Sequence, residues 1–259
     1  MTRMSVCAVA IAATVFVGMA TAQQTVPEGW PDLSARLQRA GTSDNAADLR
    51  ALRVDLLRAS TKPAGKEADA LLQYAIAYLA SRMAFLPGVP DKERDDLLAD
   101  GVQRLQAVVK ANARDIEAHV LLGALYGSQI ARSPIRGMTL GRSANEELER
   151  AGKLAPDNPR VHLQQGISFF NTPALFGGST DKAERSLRRS IELFEREPAD
   201  RPWPNWGRLD AHAWRGQVLL EKGDRAGARA EYDKALAIAP QSGWVRYSLL
   251  PALEKAEKR

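Results

Sequence analysis

Three histidines are the side chains best suited to bind a metal, and they recur in a regular way. His119, His162 and His212 each take the fourth place of a predicted amphipathic helix. A metal needs its ligands within about 2.0 to 2.2 Å of one ion, whereas neighbouring packed helices stand about 10 Å apart. The spacing therefore favours packed histidines, one in each structural unit, over a metal site.

Common catalytic and nucleotide-binding motifs are missing from the sequence. The chain has no Gly-x-Ser-x-Gly, Gly-x-x-x-x-Gly-Lys or His-Glu-x-x-His motif, so three common catalytic or nucleotide sites are not indicated. Gly177 and Gly178 precede a predicted helix, whose N-terminus could attract phosphate. Asp181 and Glu184 have the spacing of a capping box that would occupy those amides, which favours a simple turn. We expect no enzyme activity and no cofactor.

The first 22 residues have the pattern of a secretory signal peptide. Arg3 precedes an apolar run over 6–19, and Ala20-Thr21-Ala22 supplies small residues for cleavage. The alternative is a retained membrane anchor, but the run is shorter than the roughly 18 to 20 residues that span a bilayer. We predict cleavage after Ala22.

Cleavage would leave a chain without cysteine, because the single cysteine, Cys7, lies in the removed segment. Disulfides, thiolate metal sites and cysteine nucleophiles are thereby excluded. Of 36 lysines and arginines, only Arg3 is removed, so 35 basic residues face 31 acidic ones. These charges are mixed along the chain, as on solvated helix faces, and no nucleic-acid partner is expected. We predict a periplasmic or secreted protein with no membrane span after cleavage.

Beyond the leader, apolar residues recur three and four apart, and the alternating pattern of strands is missing. A helix over 33–40 is weakly indicated. The stronger predicted helices span 44–59, 66–85, 92–111, 116–131, 142–154, 159–170, 181–194, 209–222 and 224–238, with a broken tail from 243.

Segment 209–242 shows the clearest internal repeat. Its key residues, at places 8, 15, 20, 24, 27 and 32 of a 34-residue unit, are Gly216, Gly223, Ala228, Tyr232, Ala235 and Pro240. They resemble the tetratricopeptide repeat, in which small residues such as Gly216 and Ala228 let two antiparallel helices approach closely. Two further units begin at 116 and 159, and a degenerate one covers 66–113. The intervals from Gly123 to Gly166 and from Gly166 to Gly216 are 43 and 50 residues, so both middle units carry insertions.

The resemblance implies an all-α fold, a right-handed α-solenoid of antiparallel helix pairs. It divides the chain into a signal peptide (1–22), a polar segment (23–43), a repeat domain (44–242) and a capping helix (243–259). Exported bacterial members of this family imply a non-catalytic scaffold that presents a groove to a protein or peptide partner. A small ligand is the alternative.

Repeat register predicts which side chains face that groove. They are Gln164, Ile167, Phe170, Asn171, Trp214, Gln217 and Glu221. Burial of Trp214 between repeats is the competing interpretation. The peptide-carboxylate clamp of some family members uses Lys and Asn at fixed places, and this chain has other residues there. Those residues are Leu163, Ile167, Ala213 and Gln217, so no such clamp is expected.

The two insertions, 133–141 and 172–179, are rich in glycine yet contain apolar side chains. These are Ile135, Met138, Leu140, Leu175 and Phe176. The loops either pack on each other or cover a groove, or each of them only seals its own repeat. The Phe-Gly-Gly loop is also similar to the T component of tripartite ATP-independent periplasmic transporters, which implies a small-molecule-binding accessory role as the rival function.

Two further regions carry aromatic residues outside the repeats. The proline-rich connection 197–207 contains Trp203 and Trp206, which either form an interaction surface or, as we favour, close a gap over a helix pair. After the last unit, four residues are expected to cover the end of the stack. They are Trp244, Tyr247, Leu249 and Leu250.

Overall fold

A computed structural model describes residues 26–62, 65–198 and 201–258. The predicted signal peptide lies outside these residues. The described chain is helical and contains no strand, with eleven α-helices in sequence order. They are α1 Trp30–Ala40, α2 Ala46–Ala59, α3 Lys66–Ala84, α4 Asp91–Ala111, α5 Ile116–Arg132, α6 Gly137–Leu154, α7 Pro159–Asn171, α8 Thr180–Arg196, α9 Arg208–Glu221, α10 Arg225–Ile238 and α11 Leu250–Glu257.

Successive helices pack as pairs, α3 with α4, α5 with α6, α7 with α8 and α9 with α10, and each pair stacks on the next. Glycines lie where the paired helices cross. A Cβ atom at Gly166 would stand 2.6 Å from Leu187, and one at Gly216 would stand 2.3 Å from the Tyr232 ring. The predicted all-α solenoid and the role of these small residues are confirmed.

Side-chain caps begin several helices, which explains why their starts could be read from the sequence. Asn45, Asp115 and Asp224 each accept a hydrogen bond from a backbone amide in the first turn of α2, α5 and α10. For α8 the predicted capping box is wrong. The cap is Ser179, whose Oγ accepts a hydrogen bond from the Lys182 amide.

The two acidic residues of α8 that do not form the cap instead contact the neighbouring helix pair. Asp181 and Glu184 both accept hydrogen bonds from the Lys222 ammonium group at the end of α9, at 2.8 and 2.7 Å. They therefore tie two neighbouring repeats together. The glycine pair before α8 forms the predicted turn, since Gly177 has a φ of +94° and a Cβ at Gly178 would overlap the Thr172 carbonyl.

Two helices begin three or more residues earlier than predicted. The helix expected at 33–40 starts at Trp30 and buries Leu33 and Leu37 in the same core as α3. The helix expected at 142 starts at Gly137, so much of the first insertion is an added helical turn rather than a loop.

The end of the stack is only partly covered in the way that the sequence suggests. Leu249 is buried and Leu250 packs against the last core cluster. Tyr247 is 79% exposed, so the expectation that it covers the stack is wrong. A π-helical turn, Val245–Leu249, precedes α11 and rotates Tyr247 away from the core.

The described part of connection 197–207, residues 197–198 and 201–207, leaves its own repeat and packs on the first helices of the chain. Trp203 is 7% exposed, and its ring lies 5.8 Å from the ring of Trp30 and 5.1 Å from that of Tyr74. Trp206 stacks on Tyr78 at 5.6 Å and donates a hydrogen bond to the Tyr74 hydroxyl. The favoured interpretation, a packing role for both tryptophans, is confirmed.

Candidate functional site on the inner face

The inner face is the side of α3, α5, α7 and α9 that points away from their paired second helices. On α9, Gly216 faces α10, where a Cβ atom would meet the Tyr232 ring. The opposite side of α9 carries Asp210 and Trp214, which lie one helical turn apart. Connection 197–207 fills the part of this face beside α1 and α3, and the part beside α7 and α9 is left.

Three half-buried aromatic rings line the remaining part, and we call them the aromatic stripe: Phe170, Trp214 and Trp244. The ring centres of Phe170 and Trp214 are 6.1 Å apart, and those of Trp214 and Trp244 are 5.6 Å apart. Each ring belongs to a different element, α7, α9 or the segment before α11. The stripe therefore runs across successive repeats and has the extent needed to contact an extended ligand.

The alternative prediction that Trp214 is buried between repeats is not what the structure shows. Trp214 packs against the cluster around Leu163 and Val218, yet part of its surface stays exposed. It therefore both supports the fold and presents apolar surface on the inner face.

The other predicted groove residues lie around the stripe. Ile167 is half-buried and packs beneath it, and the exposed Asn171 donates a hydrogen bond to the Ile167 carbonyl. Gln164 is half-buried one turn earlier on α7, and Glu221 is exposed at the end of α9. Gln217 is half-buried, and its amide nitrogen Nε2 is shielded from solvent without a hydrogen-bond partner.

A buried ion cluster anchors the connection that crosses the inner face. Arg160 of α7 is fully buried and donates to Glu197 at 2.8 Å, while Glu117 of α5 lies 3.8 Å away. Arg201 pairs with the same two carboxylates. Burial raises the pKa of the Glu117 carboxyl. Because its charges are mutually paired, the cluster is a structural fixture of the connection.

The three histidines are packing residues, as predicted. His119 of α5 contacts Glu147 of α6, and His212 of α9 contacts Glu231 of α10. His162 contacts a backbone carbonyl in the turn before α7. Within the described residues no group of three metal-ligating side chains comes together.

The two insertion loops behave differently from either expectation. Met138 is 85% exposed and Leu175 is 88% exposed, with Ile135 and Phe176 also largely exposed. Only Leu140 packs against the core. The loops therefore neither cover the inner face nor seal their repeats, and their apolar tips point to solvent.

Two depressions lie elsewhere on the described residues and are open and polar. They measure about 510 and 520 Å³ and are lined mainly by polar and charged side chains, such as Arg189 and Arg196 on α8 and Asp95 and Asp96 on α4. Neither includes a residue of the aromatic stripe. In the part of the chain that is described, no helix is both long and apolar enough to cross a bilayer.

The fold has clear relatives among solved structures. The HusA haemophore from Porphyromonas gingivalis matches with a TM-score of 0.62 and 22% identity, over 74% of this chain and 92% of that one. A thermophilic TPR protein from Thermus thermophilus, TTC0263, matches with a TM-score of 0.58 and 20% identity, over 88% of this chain and all of that one. No protein-family model and no curated protein gives a significant match. The fold is thus TPR-like.

Sequence reasoning missed two contributors to the inner face. Trp244 packs against the last core cluster, as the sequence predicts, but its contact with Trp214 is an additional one; Asp210 is not among the predicted groove residues. Asp210 lies one helical turn before Trp214 on the same side of α9, so its spacing could have placed it there. No local signal could place Trp244, because its contact depends on how the chain turns after α10.

Proposed function

We propose that this protein is a non-catalytic, exported scaffold that binds an extended peptide segment of a partner protein along the aromatic stripe. The observation that carries the proposal is the run of half-exposed rings, Phe170, Trp214 and Trp244, across successive elements of a TPR-like stack. Partly exposed aromatic side chains in recessed surfaces contribute a large share of binding energy in protein complexes.

The surroundings of the stripe suit a peptide backbone. Gln217 is half-buried beside the stripe, and Asn171 and Glu221 are exposed at the same edge. A peptide presents unpaired carbonyl and amide groups, which such side chains can satisfy. The surface is open rather than enclosed, which favours a chain passing across it.

A small ligand is the second candidate, and two observations favour it. One solved structure with this fold is described as a haemophore, and the Phe-Gly-Gly loop is similar to one in a transporter component. Against it, Phe176 of that loop is 73% exposed and does not line an enclosed apolar channel, which a small apolar ligand would need.

Export rests on the leader of the sequence, whose Arg3, apolar run and Ala20-Thr21-Ala22 motif fit signal cleavage. We expect the protein in the periplasm, or secreted, beginning at Gln23. Mass spectrometry of periplasmic material tests this, and a protein that still begins at Met1 would contradict it.

Substitution of Trp214→Ala tests the binding surface. A fully buried Trp costs about 3 to 5 kcal/mol when cut to Ala, so the half-buried Trp214 should cost about 2 kcal/mol. Binding to a heptapeptide array should fall at least about tenfold. Phe85→Ala removes an exposed aromatic ring at the end of α3 and should change neither.

The rival function has its own readout. If the wild-type protein binds no peptide but shifts the absorbance of haemin in a way that Trp214→Ala abolishes, the small-ligand role is correct. If Trp214→Ala leaves peptide binding intact, the stripe is not the site.

A further inference from the structure

One side of α9 carries an acid, an aromatic ring, an amide and a second acid in succession. Asp210, Trp214, Gln217 and Glu221 follow at intervals of four, three and four residues, which places them on one face of the helix. This face lies away from Gly216, which packs against Tyr232 of α10. No basic residue of α9 shares it.

The basic residues of α9 are engaged elsewhere. Arg215 donates to Glu231 of α10 at 2.7 Å, and Lys222 pairs with Asp181 of α8. Arg208 donates to the Glu197 carbonyl. The inner face of α9 therefore keeps its negative charge uncompensated by its own helix.

Asp210 lies in the first turn of α9. Part of its surface remains accessible, yet burial raises the pKa of its carboxyl, and the charge of Arg82 offsets this only in part. Arg82 forms its ion pair with Asp44 instead, at 3.8 Å. Burial raises the pKa of the Tyr78 hydroxyl, and the charge of Asp210 also raises it. Among the described residues Asp210 has no direct ion-pair partner, and Arg82 acts on it only through its charge at longer range.

We propose that Asp210 and Trp214 together receive a cationic group of the bound peptide, a lysine or arginine side chain. This inference rests on the proposed function and names the chemistry of its ligand. A cation beside Trp214 would gain cation–π attraction from the ring, and it would form with Asp210 the ion pair that the free protein lacks. The amide of Gln217 and the carboxylate of Glu221 continue the same face toward solvent.

A binding role and a structural role for Asp210 predict different effects of its removal on the melting temperature. Because its folded-state pKa is raised, the folded protein favours the protonated carboxyl, and the charged form disfavours folding at neutral pH. Asp210→Asn should therefore leave the melting temperature unchanged or raise it. A carboxyl that held the fold together would instead lower the melting temperature when removed.

The test uses four pools of heptapeptides with the same randomised apolar flanks and a central lysine, arginine, norleucine or glutamate. We expect wild-type protein to prefer the lysine and arginine pools over norleucine by about tenfold or more. In Asp210→Asn this preference should fall to within about twofold. Asp233→Asn removes an equal charge from an exposed site on α10 and should keep the wild-type preference.

Each outcome decides the matter. The inference is overturned if wild type and Asp210→Asn prefer the basic pools equally. It is also overturned if wild type shows no preference among the pools. In both cases peptide binding itself still supports the proposed function. If no pool binds, the proposed peptide-binding function fails. Spermidine, a small cation, then tests the cation site separately from peptide binding. Quenching of tryptophan fluorescence by spermidine in wild type but not in Asp210→Asn supports a cation site without a peptide, and no difference overturns it.

Discussion

Glu231 is the clearest case of a single side chain that holds two helices together. It lies on α10 with its side chain 3% exposed, and it accepts hydrogen bonds from His212 at 2.6 Å and Arg215 at 2.7 Å of α9. Lys234 adds a third contact at 3.0 Å. Burial alone would raise the pKa of Glu231, but the hydrogen bonds from His212 and Lys234 and the charge of Arg215 outweigh it. They lower that pKa from 4.5 to about 2.

The depressed pKa predicts how acid destabilises the protein. A carboxyl with a lowered folded-state pKa contributes stability above its unfolded pKa of 4.5, and this contribution is lost as the pH falls toward 2. We expect about 2 kcal/mol of unfolding free energy to disappear over that range through Glu231. Urea unfolding at stepped pH values measures the slope.

Glu231→Gln provides the comparison. This variant should be less stable than wild type at pH 6 and should lose less stability between pH 4.5 and 2. Glu254→Gln, at an exposed position of α11, should follow the wild-type slope. Parallel slopes for wild type and Glu231→Gln would show that the contacts of this carboxylate do not survive in solution.

At the scale of the helix pair, close approach depends on which glycines lie at a crossing. A Cβ atom at Gly216 would stand 2.3 Å from Tyr232, whereas one at Gly127 in α5 would meet nothing within 4 Å. The same substitution should therefore have opposite effects at the two positions. Tyr232 is fully buried and has no room to yield.

We expect Gly216→Ala to destabilise the protein by about 1 to 3 kcal/mol through overpacking. Gly127→Ala should stabilise it by about 0.5 to 1 kcal/mol, because alanine is the better helix former. Thermal unfolding of both variants gives the comparison. Equal changes of the same sign would mean that α9 and α10 are not held at the distance seen here.

The same local rules explain how much of the fold the sequence could predict. Helix pairs, their small crossing residues and caps such as Asp115 are local, because spacing and residue type set them within one or two turns. The start of α6 at Gly137 was missed since glycine is a weak helix former. The packing of Trp203 on α3 joins residues more than a hundred positions apart, and no periodicity encodes such a contact.

The residues of the candidate site also fall into those that the sequence could place and those that only tertiary packing places. Register predicted Phe170 and Trp214 as inner-face residues, and the structure places their rings together. Whether they bind a ligand stays a prediction. Trp244 joins the stripe through the path of the chain after α10, and Asp210 gains its buried surroundings from α3. Both depend on tertiary approach, which a single sequence does not reveal.

At the scale of the whole molecule, the stack is not a simple row of repeats. In a plain solenoid each repeat contacts only its neighbours, so stability is spread along the chain and the ends can unfold separately. Here connection 197–207 joins α8 to α1 and α3 through Trp203. A second contact joins the ends, since the Gly243 amide donates to Asp44 at 2.6 Å. Both contacts couple the first helices to the last repeats.

These contacts predict that the wild-type protein unfolds in a single cooperative transition and that Trp203→Ala weakens this coupling. The substitution removes ring contacts to Trp30, Tyr74 and Tyr78 and should cost about 3 to 5 kcal/mol. The remaining repeats keep their own cores, so the transition should also broaden or divide in two. Calorimetry reports this as a van't Hoff enthalpy below the calorimetric one. Phe85→Ala, at a 57% exposed aromatic position, should leave a single transition. If Trp203→Ala lowers the melting temperature while the two enthalpies stay equal, the repeats are coupled through their stacking alone.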